Sequence, residues 1–173
     1  MKIRILSELK DEEVLRRIAD VLREIYGEEV ELELAENLID ERFLNPLRRQ
    51  YDAWRIVQYY QHIPEADEYV LLVTDRDLYA AGLNFVFGLA WRRVAIISTH
   101  RLHPEFYGQP ADRELFIERA LKEAVHEIGH LHGLSHCKNE RCVMRFSNSI
   151  LDTDYKSYMP CEKCLAKLRF PRS

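Results

Sequence analysis

The chain of 173 residues has no long hydrophobic run, no internal repeat and no large excess of one charge. Its apolar stretches fall far short of the roughly 20 residues that a membrane-spanning helix needs, so we expect no membrane partner. The formal net charge of −4 predicts no nucleic-acid partner either. With 47% hydrophobic and 31% charged residues, the composition is that of a single globular domain that can bury a core.

Cysteine is absent from the first three quarters of the chain, and all four cysteines follow in C-x4-C and C-x2-C pairs: Cys137, Cys142, Cys161 and Cys164. Two close pairs separated by a loop have the spacing of a zinc site with four thiolates. The alternative is two disulfides in a secreted protein. The segment 1–6 is too short and too charged for a secretion signal, so we expect a cytoplasmic protein with reduced thiols and a structural metal.

Three histidines and a glutamate form the most specific motif of the chain, H-E-x-x-H-x-x-G-x-x-H over residues 126–136. On a helix, His126 and His130 are one turn apart and share a face, so both imidazoles can bind one Zn²⁺. Glu127 lies beside them and can serve as a general base. The alternative is a histidine-rich helix end that binds no metal.

A glycine explains how a third histidine reaches the same metal. Gly133 can adopt the positive φ that ends a helix and reverses the chain, which would bring His136 back toward His126 and His130. Three nitrogen ligands leave the fourth position of tetrahedral zinc open to water, which is typical of a catalytic site. Because Cys137 directly follows His136, we expect the cysteine site to hold this third ligand in place.

Residues 126–164 resemble the archaemetzincin family. The family pattern continues the histidine motif as C-x4-C-x-M and adds C-x-x-C after about seventeen residues. Here Cys137, Cys142 and Met144 complete the first part, and sixteen residues separate Met144 from Cys161. Upstream, residues 77–79, 83–88 and 98–102 resemble the family more loosely.

The resemblance implies a metzincin-like zinc metallopeptidase that hydrolyses peptide or protein substrates. It implies two Zn²⁺ per chain, one catalytic and one structural, and it implies that Met144 forms the Met-turn, an apolar base beneath the three histidines. Astacin-like metzincins carry a tyrosine two residues after this methionine, where this chain has Phe146. Phenylalanine has no hydroxyl, so no oxyanion stabiliser besides zinc is identified from the sequence.

Hydrophobic periodicity predicts strands at 2–6, 29–34, 68–74, 84–87 and 93–99, and helices at 11–26, 46–61 and 111–133. We therefore expect an α/β fold with a mixed, mostly parallel twisted sheet, an active-site zinc helix and a small zinc-stabilised C-terminal lobe, as in metzincins. The expected organisation is one metallopeptidase domain over 1–173, with an α/β part at 1–133 and the lobe at 134–173. We expect a monomer.

A short apolar segment between two glycines is the candidate substrate-binding strand: Asn84, Phe85, Val86 and Phe87. In metzincins an antiparallel edge strand above the cleft binds extended substrate by strand addition, and the resemblance implies that role here. The alternative is an ordinary hairpin that packs Phe85 and Phe87 into the core.

Two other functions compete with hydrolysis of peptides. His103-Pro104-Glu105 and Pro160–Cys164 together match the zinc deaminase signature H-x-E…P-C-x-x-C, but this leaves the motif at 126–136 unexplained. A non-catalytic, zinc-stabilised binding module is the second alternative. Glu127 argues against it, because a purely structural site has no need of a carboxylate beside the metal.

Overall fold

A computed structural model describes residues 1–169. Its main sheet has five strands: β1 (Lys2–Ser7), β2 (Glu29–Leu34), β5 (Glu68–Thr74), β7 (Gly88–Trp91) and β8 (Val94–Ser98). Their order is β2-β1-β5-β8-β7, and every neighbouring pair is parallel except β7 with β8. The predicted mixed, mostly parallel sheet is confirmed.

Helices cover both faces of this sheet. Successive side chains of a strand point to opposite faces, so neighbouring residues contact different helices. On one face lie α1 (Glu12–Tyr26) and α3 (Arg113–Leu131), which pack on side chains such as Leu71 and Val73. On the other face lies α2 (Ala53–Tyr59), which packs on Val70 and Leu72. The strand β5 is therefore buried from both sides, as its continuous apolar sequence predicts.

The helix predicted at 46–61 is wrong in its first half. Residues 44–52 instead contribute two short strands, β3 (Leu44–Asn45) and β4 (Gln50–Asp52), to a small second sheet with β6 (Leu78–Tyr79). Arg49 has a φ of 56°, which a helix cannot accommodate. The helix begins after Asp52, whose carboxylate accepts hydrogen bonds from the backbone N–H groups of Trp54 and Arg55.

The remaining chain after α3 forms two short helices, α4 (Ile150–Tyr155) and α5 (Glu162–Arg169). They were not predicted, since six and eight residues give too little periodicity to detect. Residues 170–173 of the expected C-terminal lobe lie outside the described residues. Within residues 1–169, no helix is both long enough and apolar enough to cross a membrane.

Ion pairs fix the start of α3 against α1. The guanidinium of Arg113 donates to the carboxylates of Asp11 and Glu13, with N···O distances of 2.6 and 2.9 Å. Arg17 pairs with Glu114 at 3.0 Å. The buried Arg119 then binds Asp154 through two hydrogen bonds of 2.8 Å, which ties α3 to α4. The helix that carries the histidine motif is thus held along its length.

Candidate metal centre and cleft

The end of α3 presents two imidazoles to one point. His126 and His130 lie four residues apart on the same face, and their Nε2 atoms are 3.2 Å apart. The Nδ1 atom of His126 lies 2.7 Å from the carbonyl oxygen of Val143, and that of His130 lies 2.8 Å from that of Leu134. A carbonyl oxygen can only accept, so each Nδ1 carries the proton and each Nε2 offers a lone pair.

The chain reverses immediately after α3. Gly133 has a φ of 91°, and the N–H of Leu134 donates to the carbonyl oxygen of Gly129 at 2.9 Å. Together with the bond from the Gly133 N–H to the His130 carbonyl, this is a Schellman turn. The predicted turn is confirmed, and it brings the ring of His136 to 5.4 Å from that of His126 and 4.8 Å from that of His130.

The three histidines form a group suited to one metal ion. Their candidate ligand atoms all lie within 4.8 Å of one another. Burial lowers the pKa of each imidazole, and that of His126 most strongly, so all three are neutral donors at neutral pH. Neutral nitrogen donors on three sides match the ligand set of a catalytic zinc.

Glu127 lies beside this group and is buried. Its Oε1 atom is 4.0 Å from the Nε2 atoms of both His126 and His130. Burial, and then the nearby carboxylate of Glu123, raise its pKa well above the usual range for a glutamic acid. The carboxylate therefore has a strong tendency to take up a proton next to the point on which the imidazoles converge.

Two glycines allow these groups to pack closely. A Cβ atom on Gly88 of β7 would lie 2.9 Å from Cγ of Glu127, so only glycine lets the edge strand lie directly over this carboxylate. A Cβ atom on Gly129 would lie 2.5 Å from Sδ of Met144. The fully buried Met144 is therefore in contact with the backbone of α3 between His126 and His130.

The four cysteines form a second group, separate from the histidines. Their Sγ atoms lie within 4.8 Å of one another, with 3.8 Å from Cys137 to Cys161 and from Cys142 to Cys164. All four are free thiols, so the disulfide alternative is wrong. The backbone N–H groups of Met144 and Cys161 donate to Sγ of Cys142 at 3.4 and 3.2 Å. Burial raises the pKa of the Cys142 thiol, and these two donors act in the opposite direction, toward the thiolate that binds metal.

One backbone hydrogen bond links the two groups. The N–H of Cys137 donates to the carbonyl oxygen of Met144 at 3.0 Å. The residue after His136 is thereby bonded to Met144, which contacts α3. The third histidine is therefore held by residues 137–144, which also carry two of the cysteines.

The histidines line an open cleft of about 560 Å³. The segment 84–87 forms part of its wall, together with Phe146 and Lys156. The edge strand itself is Gly88–Trp91, so the strand predicted at 84–87 is wrong in position. Side chains of Arg48 and Gln50 bind the carbonyl oxygen of Asn84, whereas the carbonyl oxygen of Phe87 accepts from the N–H of Ser98 in β8 at 2.9 Å.

The alternative interpretation of Phe85 and Phe87 is partly confirmed. Phe87 is buried in the core, and the two rings are in edge-to-face contact at 5.1 Å. The backbone N–H of Val86 donates to the carbonyl oxygen of Leu78 at 3.0 Å. The segment thus both packs inward and borders the cleft.

Four polar cleft residues were missed from the sequence: Glu123, Ser147, Asn148 and Lys156. Glu123 precedes Glu127 by one helical turn, so helical spacing was the signal that could have found it. Lys156 gave no signal, because it reaches the cleft through the unpredicted helix α4. Burial lowers its pKa, and the carboxylates of Glu123 and Glu127 act in the opposite direction.

The deaminase alternative does not fit the geometry. His103 lies 2.9 Å from a carboxylate oxygen of Asp75 and stacks on Phe116, whereas Cys161 and Cys164 group with the other two cysteines. His132 likewise lies apart from the metal group and binds Glu28 at 2.6 Å.

A mixed α/β domain in which three imidazoles and a carboxylate border an open cleft defines the class of metal-dependent hydrolases. Residues 5–170 match the model of Peptidase family M54, and the chain belongs to that family. An archaemetzincin of Pyrococcus abyssi is 66% identical over 98 residues. That alignment covers 56% of this chain, and the chain spans about half of that relative's length, 52%.

Solved structures cover the chain more fully. An archaemetzincin from Archaeoglobus fulgidus, complexed with malonate, is 39% identical with a TM-score of 0.81 and covers 96% of this chain and 99% of its own. A zinc-dependent peptidase from Methanocorpusculum labreanum is 32% identical with a TM-score of 0.86 and covers 97% and 100%. The resemblance to archaemetzincins and the metzincin-like fold expected from the sequence are confirmed.

Proposed function

We propose that the chain is a zinc-dependent metallopeptidase that hydrolyses peptide bonds in peptide or protein substrates. One observation carries this proposal. The carboxylate of Glu127 lies 4.0 Å from two converging imidazole nitrogens in an open cleft. A purely structural metal site would gain nothing from a buried carboxylate at that distance, whereas hydrolysis requires a base there.

His126, His130 and His136 would hold the catalytic zinc. Once bound, zinc supplies Lewis acidity, which polarises a scissile carbonyl and lowers the pKa of water. The carbonyl oxygens of Val143 and Leu134 keep two of the imidazoles in the tautomer that offers Nε2. Met144 would serve as the Met-turn, an apolar support that prevents this end of α3 from shifting.

Glu127 performs the proton transfers. Its carboxylate accepts a proton from the attacking water and then delivers it to the nitrogen of the departing amine. The raised pKa that burial gives Glu127 suits this double role, because a carboxyl group must both take and release the proton near neutral pH.

The segment of Asn84, Phe85, Val86 and Phe87 would position the substrate. It borders the cleft, and an extended peptide can lie along its backbone in the manner of an added strand. The side chains of Arg48 and Gln50 hold this segment in place through the carbonyl oxygen of Asn84. Substrate would therefore meet a wall that is fixed before binding.

The four cysteines would hold a second, structural zinc, which gives two Zn²⁺ per chain. Four thiolates leave no open position, and their binding energy would stabilise the lobe after residue 133. The whole chain would act as a single domain and a monomer. A cytoplasmic location accords with four reduced thiols in metal-binding geometry.

The proposal is tested with Glu127→Gln, which removes the base and keeps the size of the side chain. Hydrolysis of a mixed peptide library, read by mass spectrometry, should fall by at least about a hundredfold, as is typical when a general base is lost. Zinc content by atomic absorption should stay unchanged. Glu118→Gln, at an exposed position of the same helix, is the control and should retain activity.

Two outcomes would contradict the proposal. One is wild-type protein that is fully loaded with zinc and cleaves no peptide of the library. The other is unchanged hydrolysis in Glu127→Gln, which would point to a contaminating peptidase and favour a non-catalytic binding module.

A further inference from the structure

Part of the cleft wall is polar, although most of the wall is apolar. We call it the polar recess and define it by three residues that line the cleft: Glu123 on α3, Ser147 in the loop before α4, and Lys156 directly after α4. Glu123 lies one helical turn before Glu127, so the recess adjoins the metal centre. None of the three is a candidate metal ligand.

Lys156 brings an incompletely bonded ammonium into the recess. The residue is only 2% exposed, and its Nζ atom donates one hydrogen bond, to the carbonyl oxygen of Arg145 at 2.9 Å. An ammonium has three N–H groups, so two have no acceptor within residues 1–169. Burying such donors without acceptors costs free energy, which indicates that they donate hydrogen bonds to a bound molecule.

Ser147 supplies a second unused donor. Its Oγ atom is buried and has no hydrogen-bond partner in the described part of the chain. Glu123 supplies an acceptor. Its carboxylate receives one hydrogen bond, from Oγ1 of Thr153 at 3.2 Å, and keeps further lone pairs free. The recess thus combines two donors with one acceptor beside the reacting groups.

We propose, on the basis of the function proposed above, that the polar recess binds the carboxamide side chain of a substrate asparagine or glutamine next to the scissile bond. The carboxamide oxygen accepts from Lys156 and Ser147, and the amide nitrogen donates to Glu123. These three residues determine specificity and take no part in the proton transfers.

Other side chains fit the recess less well. A carboxylate would face the acidic side chain of Glu123, and an ammonium would face Lys156. An apolar side chain would leave the buried hydroxyl of Ser147 without a partner and the hydrogen bonding of Lys156 and Glu123 incomplete, which costs more than a lost hydrogen bond in water. A carboxamide is uncharged and both donates and accepts, so it avoids all three penalties.

To test the proposal, one library peptide that the enzyme hydrolyses is synthesised again in several versions. These carry Gln, Met, Glu or Lys at each of the two positions that flank the cleaved bond. Gln and Met side chains have the same length, so the ratio of kcat/KM for the Gln peptide to that for the Met peptide measures the polar contacts alone. For one of the two positions, kcat/KM for Gln should exceed that for Met about tenfold, the usual worth of one or two well-placed hydrogen bonds. Lys156→Met should remove this preference.

Two further variants test whether the loss of the Gln preference in Lys156→Met comes from disturbed folding. Ser147→Ala removes a hydroxyl that has no partner among residues 1–169, so folding should be undisturbed, while the preference should fall about threefold. Lys122→Met is the matched control. Lys122 is also buried, but its Nζ binds the carbonyl oxygens of Thr153 and Asp154, and it does not line the described cleft. This variant should keep the preference.

A binding measurement separates this inference from the function on which it rests. Calorimetry with zinc-loaded Glu127→Gln and octapeptide mixtures that differ only in Gln or Met should show about tenfold tighter binding of Gln peptides. Lys156→Met in the same background should abolish the difference. Equal binding, or hydrolysis without a Gln preference, would overturn the polar recess and leave the peptidase intact. Absence of all hydrolysis alongside tighter Gln binding would overturn the peptidase alone.

Discussion

Residues 1–131 and residues 132–169 are held together in different ways. The first region contains the five-stranded sheet and most of both hydrophobic clusters, with side chains such as Ile3, Leu71 and Ile97 fully buried. The second region has two helices of six and eight residues, and its buried residues are few and include two of the cysteines. Hydrophobic burial can fold the first region, whereas we expect the second to depend on the proposed structural zinc.

The two regions meet at α3, which contributes to both. Its backbone at Gly129 touches Met144, its imidazole at His126 binds the carbonyl oxygen of Val143, and its Arg119 binds Asp154. We therefore expect a change in the second region to affect the cleft.

The largest effect should come from Cys161→Ser, which removes one thiolate. We expect loss of about one zinc per chain and a fall in melting temperature of at least about 10 °C, because a structural zinc contributes several kcal/mol to folding. Zinc analysis and calorimetry measure both. Lys163→Ala, at an exposed position in the same C-x-x-C segment, should change neither. If Cys161→Ser kept its melting temperature, residues 132–169 would not depend on metal.

A smaller effect should come from Gly129→Ala, at the contact between the regions. The new methyl group would lie 2.5 Å from Sδ of Met144, and such overpacking costs about 1–3 kcal/mol. Chemical denaturation measures the loss. In the double variant with Met144→Ala, the loss should be smaller than the sum of the two single losses. Strictly additive losses would show that this contact does not join the two regions.

The smallest effect should come from Asp11→Asn, which acts within the first region alone. The hydrogen bond from Arg113 lowers the pKa of Asp11, and its carboxylate also caps α1. A lowered pKa means that the ionised form stabilises the fold above about pH 4, and that this contribution is lost as pH falls through the folded-state pKa. Asparagine keeps the cap, so only the charge is tested.

We therefore expect Asp11→Asn to lower stability by about 1 kcal/mol or less at pH 7, a range typical of partly exposed ion pairs. The difference from wild type should shrink as the pH falls from 7 to below about 4. Denaturation at both pH values measures it, and zinc content should be unaffected at pH 7. A deficit that persisted unchanged in acid would mean that the amide disturbs the cap and that charge is not involved.

The metal centre was predictable because its residues lie close together in the sequence. His126 and His130 share one helical face beside Glu127, and Gly133 marks the turn that returns His136, so eleven residues of sequence define the site. The strands at 29–34 and 68–74 were predicted at their observed limits, since β-branched and apolar residues recur there with the periods of exposed and buried strands.

The remaining features depend on contacts distant in sequence. Lys156 directly follows α4, which Arg119 ties to α3 through Asp154, and a short helix leaves no periodic signal. The position of residues 84–87 depends on the side chains of Arg48 and Gln50, about 35 residues earlier, which bind backbone that would otherwise be free to pair. The sequence of neither segment contains a pattern that indicates these distant contacts.

The hydrogen bond from the N–H of Cys137 to the carbonyl oxygen of Met144 has a thermodynamic consequence. It orders a loop that carries one histidine and two cysteines of the two groups, so filling one group would lower the conformational entropy that must be lost to fill the other. Such coupling is reciprocal, and the factor by which the thiolates raise affinity at the imidazoles equals the factor in the opposite direction. The loop thus favours fully loaded and empty protein over chains that carry a single ion.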